Sequence, residues 1–282
     1  MAEIFYMQNK TVIGFIGAGN MGYALIKGLI NSGYPSENIN ACDLNEDLLQ
    51  KRSKEFGINV YIDNAELLKA CDVVVLAVKP QVLTKVCTGL RDSIKPNHLV
   101  ISIVAGIRAN DINRWLGGEF ALVRSMPNTP ALMQQGITGM FANKLVSDEQ
   151  KNIVETILST VGQCFWVKEE KLIDAITAIS GSGPAYFFLL MQSMTQAAIA
   201  LGLDKETASA LSVQTAYGAS TMAVESGEDP QALRQNVTSP NGTTQAAIEA
   251  FQDQNFEGIV ATASRAAYDR AHEISIELGE KE

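Results

Sequence analysis

At 282 residues the chain is long for one compact domain and comfortable for two, at roughly 100–200 residues per domain. Apolar residues make up 46% and charged residues 19%, enough to bury a sizeable core and too apolar for a disordered chain. With 22 Lys+Arg against 31 Asp+Glu, a net charge of −9 and no basic run, it is a poor binder of nucleic acid or anionic membrane.

Four scattered cysteines (Cys42, Cys71, Cys87, Cys164) form no C-x-x-C pair, and only two histidines occur, His98 and His272. Zinc, iron–sulfur and disulfide-scaffold readings are thereby excluded, with most His-based acid–base schemes, and no metal site is expected. The first twelve residues mix Glu3, Gln8, Asn9 and Lys10 with apolar ones and do not read as a secretory signal.

Along the chain, strand-like and helix-like segments alternate. Thr11–Ile16 is a short apolar strand, followed by glycines and then by helical spacing over Asn20–Asn31 that stops at Gly33. Ile39–Cys42 is the next strand. A helix follows with Leu48, Leu49 and Phe56 on one side and Gly57 as its C-terminal stop. Val73–Val78 is an uninterrupted apolar run, as expected of a strand covered on both faces, and Leu99–Val104 and Ala121–Val123 continue the series. This alternation predicts βαβ units and a Rossmann-like, doubly wound parallel α/β sheet.

The texture changes after about Val167, where helical spacing takes over: Ala175–Leu203, Thr207–Val224 and Ala246–Leu278. The predicted domains are residues 1–166, α/β, and 167–282, all-α. Ala175–Leu203 carries no charged residue and exceeds the roughly 20 apolar residues of a membrane-spanning helix. However, it contains Ser180-Gly-Ser-Gly-Pro184, Gln192, Thr195 and Gln196, and its flanks Asp174 and Asp204 give no positive-inside signal. It reads as a buried helix of a helical domain or a subunit interface, and the chain as soluble, cytoplasmic and not membrane-bound. A helical half so poor in charge predicts a homodimer built through these helices.

Gly17-Ala18-Gly19-Asn20-Met21-Gly22 is a G-x-G-x-x-G between a strand and a helix, and Asp43 falls 21 positions after Gly22 at the end of the next strand. The first glycine permits the tight turn, the second lets backbone approach a pyrophosphate, and the third lets helix and strand pack closely. The helix N-terminus supplies unpaired N–H groups to the phosphates. A carboxylate at Asp43 would bond the adenosine ribose hydroxyls and repel a 2′-phosphate, which favours NADH over NADPH. Two alternatives stand: Asp43 caps the helix beginning near Glu46, or Lys51 or Arg52 swings in to compensate.

Three further segments are candidates. Val78-Lys79-Pro80 ends a strand where ligands gather in open parallel sheets, and Pro80 stiffens it. Ser125-Met126-Pro127-Asn128-Thr129-Pro130 places a polar pair between two prolines, or is simply a turn. Val237–Thr244 is a dense polar stretch in which Pro240 and Gly242 break the helix, and successive N–H groups there would suit a carboxylate.

The segments IGFIGAGNMG, LAVKPQ, MPNTP, ISGSGPAYFF and VTSPNGTT, in this order, closely resemble the Δ1-pyrroline-5-carboxylate reductases over about Val12 to Ile276. The resemblance implies an N-terminal dinucleotide-binding domain and a C-terminal helical domain for dimerisation and substrate binding, with larger rings of dimers in some members. It implies NAD(P)H-dependent reduction of the cyclic imine to L-proline, the final step of proline biosynthesis. Residues 17–22 would hold the pyrophosphate, Asn64 and Ala77, Val78, Lys79 and Pro80 would line the adenosine and nicotinamide sides, and Asn128 and Thr129 would lie near the nicotinamide. The loop Ser239, Pro240, Asn241, Gly242, Thr243, Thr244, facing the partner subunit, would take the substrate carboxylate, with the Thr244 hydroxyl on the ring nitrogen. Two departures stand out. Asn241 replaces a usual glycine, and Asn tolerates left-handed geometry better than most residues, so the loop should survive. Many members carry a small or basic residue where Asp43 stands and favour NADPH.

The rivals are a β-hydroxyacid dehydrogenase or related imine reductase, and a non-catalytic nucleotide sensor. The former group uses a Lys on the first long helix of its second domain, and Ser180–Gly202 has none. The intact Ser239–Thr244 loop argues against the sensor, where fold-level analogy alone would not.

Overall fold

The structure is a computed structural model that describes residues 11–279, so the reading of the opening residues as no secretory signal falls almost wholly outside it. The chain forms two compact units, Met1–Gly181 with Ala267–Glu282, and Ser182–Ala266.

The first unit is built on one sheet. Its strands are β1 (Ile13–Ile16), β2 (Ile39–Cys42), β3 (Asn59–Tyr61), β4 (Val73–Leu76), β5 (Leu99–Ser102), β6 (Ala121–Met126), β7 (Gly136–Ala142) and β8 (Gly162–Trp166). They lie in the order β3-β2-β1-β4-β5-β6-β7-β8. All neighbours pair in parallel except β6 and β7. The α/β sheet is therefore as expected at its centre. The antiparallel β7 and the edge strands β3 and β8 were not foreseen.

Helices α1 (Asn20–Asn31), α2 (Glu46–Phe56), α3 (Asn64–Lys69), α4 (Pro80–Gly89), α5 (Ala109–Leu116) and α6 (Asp148–Ser159) connect the strands. Their ends obey local chemistry. Asn45 caps α2 by accepting from the Leu48 N–H at 3.0 Å, and Gly57 ends it in left-handed geometry at φ 71°. Ser147 and Gln150 form a reciprocal capping box on α6.

Strand alternation sends side chains to two separate cores. Val73 and Val75 join Ile13, Phe15, Leu25, Leu29 and Val154 on one face, while Val74 and Leu76 join Leu83, Ile107, Ile112 and Trp115 on the other. Each such side chain contributes about 1.5–3 kcal/mol on burial, which is why β4 reads as an unbroken apolar run and β1, β2 and β5 as mostly apolar ones.

After β8 the chain enters α7 (Leu172–Ile176) and a π-helical turn (Thr177–Gly181). Arg124 on β6 bonds Asp174 on α7 at 2.8 Å. This grip explains why the compact units divide after Gly181, whereas the change of sequence texture falls at 166/167.

The second unit contains α8 (Gly183–Ala200), α9 (Lys205–Ser226), α10 (Pro230–Asn236) and α11 (Thr243–Asp253). The long α12 (Phe256–Gly279) starts in this unit and ends in the first. Among the described residues of the second unit only Gly183, Ala208 and Ser212 are buried. The expectation of a helix buried within its own domain over Ala175–Leu203 is therefore corrected: Phe187, Phe188 and Leu189 are 58%, 62% and 64% exposed. Leu172–Ala200 is long and apolar enough to cross a membrane by length and composition, although the π-turn interrupts it.

His98 shows how closely the first unit is tied together. Its ring is buried, Nδ1 accepts from the Lys95 N–H at 3.0 Å, and Nε2 lies 3.1 Å from the Leu68 carbonyl. Burial holds its pKa below the usual 6.5, so the unfolded chain takes up the proton first. Stability from this group is complete above pH 6.5 and is lost as pH falls below it. The melting temperature should fall between pH 7 and pH 5.5, and His98→Asn should shrink that fall. An equal fall in both proteins would contradict the assignment.

Candidate functional site

The site begins where β1 ends. Gly17 has φ +104°, and a Cβ there would sit 2.5 Å from the Ala77 carbonyl oxygen. A Cβ on Gly22 would sit 2.4 Å from the Gly17 carbonyl oxygen. These two glycines are required by backbone meeting backbone. Gly19 is different: a Cβ there would meet nothing within 4 Å. It stands at the N-terminus of α1, which no side chain caps, beside the exposed Asn20 and half-buried Met21. The residues thus leave a cradle that a side chain would fill, with uncapped amides and a helix dipole facing it. This fits a nucleotide pyrophosphate.

Asp43 is fixed against this turn. Its Oδ2 accepts from the Ala18 N–H at 2.8 Å and its Oδ1 from the Asn45 N–H at 3.0 Å. The alternative that Asp43 caps the next helix is corrected, because Asn45 performs that task. The alternative in which Arg52 swings in is countered by its bonds. Its guanidinium lies 4.0 Å from the Tyr23 ring centroid and 3.4 Å from Glu55, whose other oxygen accepts from the Tyr23 hydroxyl at 2.9 Å. Lys51 is exposed. Burial and the neighbouring Asp43 push the Cys42 thiol up to about 11, so it stays protonated and offers no nucleophile.

Because β3, β2, β1 and β4 are parallel neighbours, the residues after their C-terminal ends share one edge. The glycine turn, Asp43, Asn64 and the stretch Ala77, Val78, Lys79, Pro80 are thereby brought together. Asn64 opens α3, whose cap is Asp63, and Pro80 opens α4 with Lys79 extended at φ −66°, ψ 145°. The Ala77 N–H is held by the Ile16 carbonyl at 2.8 Å.

Asn128 and Thr129 follow β6. Thr129 is exposed, but Asn128 is 8% exposed and engaged at both ends. Its Oδ1 accepts from the Ile137 N–H at 3.0 Å and its Nδ2 donates to the Ser180 carbonyl at 3.0 Å.

In the second unit, the polar break predicted near residue 240 lies between α10 and α11. Asn241 takes the left-handed conformation at φ 60°, as its residue type allows, and the loop is intact. The Gly242 N–H donates to the Ser239 carbonyl at 3.0 Å, and a Cβ on Gly242 would lie 2.4 Å from Ser239 Oγ. The Asn241 N–H donates to Gln245 Oε1 at 2.8 Å. No side chain caps α11. Ser239, Pro240 and Thr243 are exposed and Thr244 half-buried, so hydroxyls and free amides face outward from one short loop. Among the described residues no cluster of His, Cys, Asp or Glu could hold a metal.

A glycine turn on a parallel sheet, a carboxylate after β2 and a helical second unit define a dinucleotide-binding oxidoreductase of the Rossmann class. Residues 170–274 match the family described as pyrroline-5-carboxylate reductase dimerisation, and residues 12–106 match NADP oxidoreductase coenzyme F420-dependent. The chain is 50% identical over 268 residues to the pyrroline-5-carboxylate reductase of Pseudomonas aeruginosa, covering 95% of this chain and 98% of that one. It is similar to the solved reductase from Coxiella burnetii (TM-score 0.89, 43% identity, 94% of this chain and 98% of that one). It is also similar to the enzyme from Plasmodium falciparum solved with NADP bound (TM-score 0.83, 31% identity, 95% and 99%). The chain belongs to the pyrroline-5-carboxylate reductase family, whose members are NAD(P)-dependent oxidoreductases.

The cradle gives a sharp test. Gly19→Leu should leave the melting temperature within about 2 °C, since nothing in the fold lies against that position. Nucleotide affinity, read by quenching or calorimetry, should weaken by about tenfold or more, roughly 1.4 kcal/mol. Unchanged affinity would remove the turn from the site.

Proposed function

We propose that the chain reduces 1-pyrroline-5-carboxylate to L-proline in the cytoplasm, with the glycine turn holding the nucleotide and the Ser239–Thr244 loop holding the substrate. The observation that carries this reading is the pair of prepared, uncapped helix starts, one beside Gly19 and the other at Gly242. When bound, reduced nicotinamide supplies the hydride that the imine carbon accepts. The protein's own work is positioning. Ser239 and the amides at the start of α11 bind the carboxylate, and the Thr244 hydroxyl orients the ring nitrogen and bonds the amine as it forms. A protonated imine is already electrophilic, so no strong general acid is needed, and catalysis rests on geometry and exclusion of water.

The fixed Asp43 supports NADH as the favoured reductant, because a 2′-phosphate would meet a carboxylate that two backbone amides hold in place. Arg52, the nearby candidate to offset that repulsion, is engaged with Tyr23 and Glu55.

The second unit also supports a dimer formed through its helices, rings of dimers being a further level of assembly. A unit with three buried residues among those described lacks a core of its own, and its exposed Phe187, Phe188, Tyr217 and Val224 need a covering surface. A second copy supplies one with matching chemistry. Sedimentation should give no monomer, and melting should depend on protein concentration.

Steady-state oxidation of NADH and NADPH with pyrroline-5-carboxylate tests the reading. Turnover should occur with kcat/KM higher for NADH, and Asp43→Ser should move the ratio towards NADPH. Thr244→Ala should lower kcat by about 10²-fold, the order expected from lost orientation, while nucleotide affinity stays within threefold. Absence of turnover with tight nucleotide binding would favour the sensor.

A further inference from the structure

The face of β6 that carries Arg124 and Met126 has a use that its role as a strand does not explain. Three alternate residues, 124, 126 and the following 128, each engage the segment that ends the first unit. Arg124, 2% exposed in mid-sheet, bonds Asp174 at 2.8 Å and Glu170 at 3.4 Å. Glu170 in turn accepts from the Ala109 N–H at 2.7 Å. Met126 closes on Gly181, where a Cβ would lie 2.7 Å from its Cε. Asn128 donates to the Ser180 carbonyl at 3.0 Å. Ser125, between them, turns the other way and bonds the Ser102 carbonyl at 3.1 Å.

Arg124 holds the residues just before the π-helical turn Thr177–Gly181, and Met126 and Asn128 meet the turn itself. Such turns have weaker internal geometry than α-helix and are found often at functional sites. Here Thr177 and Ser180 also bond back to carbonyls four residues earlier, at 2.8 and 3.0 Å. A turn of this kind keeps its register only if the surroundings impose it. The Asn128 carboxamide is suited to impose it. Its oxygen is anchored by the Ile137 amide on β7, so its nitrogen has a fixed aim at Ser180.

We infer that Asn128 is a positioning residue: it holds the π-turn in register against the end of β6 and so sets the catalytic geometry without itself binding the nucleotide. The inference rests on the proposed imine reduction and assigns Asn128 a role apart from nucleotide contact. The chain continues from this turn directly into Gly183 and Pro184 at the start of α8.

The parent protein is assayed first, since its turnover decides the functional reading on its own. Asn128→Asp keeps the shape and the bond from Ile137 but sets a carboxylate oxygen against the Ser180 carbonyl. Its kcat should fall at least tenfold, because misplacement on the order of 1 Å costs up to about 10²-fold. Nucleotide affinity should stay within threefold. The isotope effect on kcat/KM with reduced nicotinamide deuterated at both C4 positions should rise, as hydride transfer becomes slower than the steps around it. Asn128→Ala removes both bonds, to the Ile137 amide and to the Ser180 carbonyl, and should act alike.

Parent-like turnover in Asn128→Asp would overturn the inference, as would nucleotide affinity that falls in step with kcat, which would make Asn128 a direct contact. Should Asn128→Asp fail to fold, Asn128→Ala decides: kcat at least tenfold below the parent with nucleotide affinity within threefold supports the clamp, and parent-like turnover overturns it.

Discussion

The close approach of backbones at the end of β1 is the constraint on which the first unit depends. Gly17 and Gly22 bring three chain segments within contact: the turn itself, the end of β4 at Ala77, and the first coil of α1. A methyl group at either position would push apart backbone atoms that have no room to move. The result is a helix start set against the C-terminal edge of a rigid sheet, where its free amides and dipole act on a ligand. The Ala18–Asp43 bond then locks the turn to β2. If the turn holds the nucleotide as proposed, binding requires little reorganisation, which conserves affinity for orienting the reacting groups.

The second unit follows the opposite logic. Two buried clusters organise the sheet, yet among the described residues no comparable cluster forms within residues 182–266. Its helices are held by local hydrogen bonds and caps, such as Asp204 on Thr207, and present large apolar side chains outward. If the loop Ser239–Thr244 holds substrate as proposed, its place on such a unit ties its rigidity to assembly.

Much of this was legible in the sequence because single residues had single physical meanings. The apolar runs of β1, β2, β4 and β5, the span of α1, the Gly57 stop and the break at Pro240–Gly242 all appear where patterning placed them. The strands β7 and β8 were hidden by their glycines. Those glycines exist for packing: a Cβ on Gly139 would lie 2.2 Å from Ile176, and one on Gly162 would lie 1.9 Å from the Gly136 carbonyl. Composition cannot distinguish such a glycine from one in a loop. Arg124 was equally silent. A lone cation in an apolar strand signals a buried partner, but Glu170 and Asp174, some fifty residues on, are named only by the folded chain. Asn128 was read as facing a ligand, and its two internal bonds could not be foreseen from the motif that contains it.

A site with no metal cluster among the described residues, no nucleophilic thiol and no exposed catalytic histidine on the glycine-turn edge can still carry out imine reduction, provided geometry supplies what titratable groups do not. That is the central claim, and the destination of one atom tests it most directly. Reduced nicotinamide carrying deuterium at both C4 positions is incubated with the protein and pyrroline-5-carboxylate in ordinary water, and the product is examined by mass and proton NMR. The account predicts L-proline carrying one deuterium at C5, the former imine carbon. Proline without deuterium, or nucleotide oxidised with no proline formed, would contradict it.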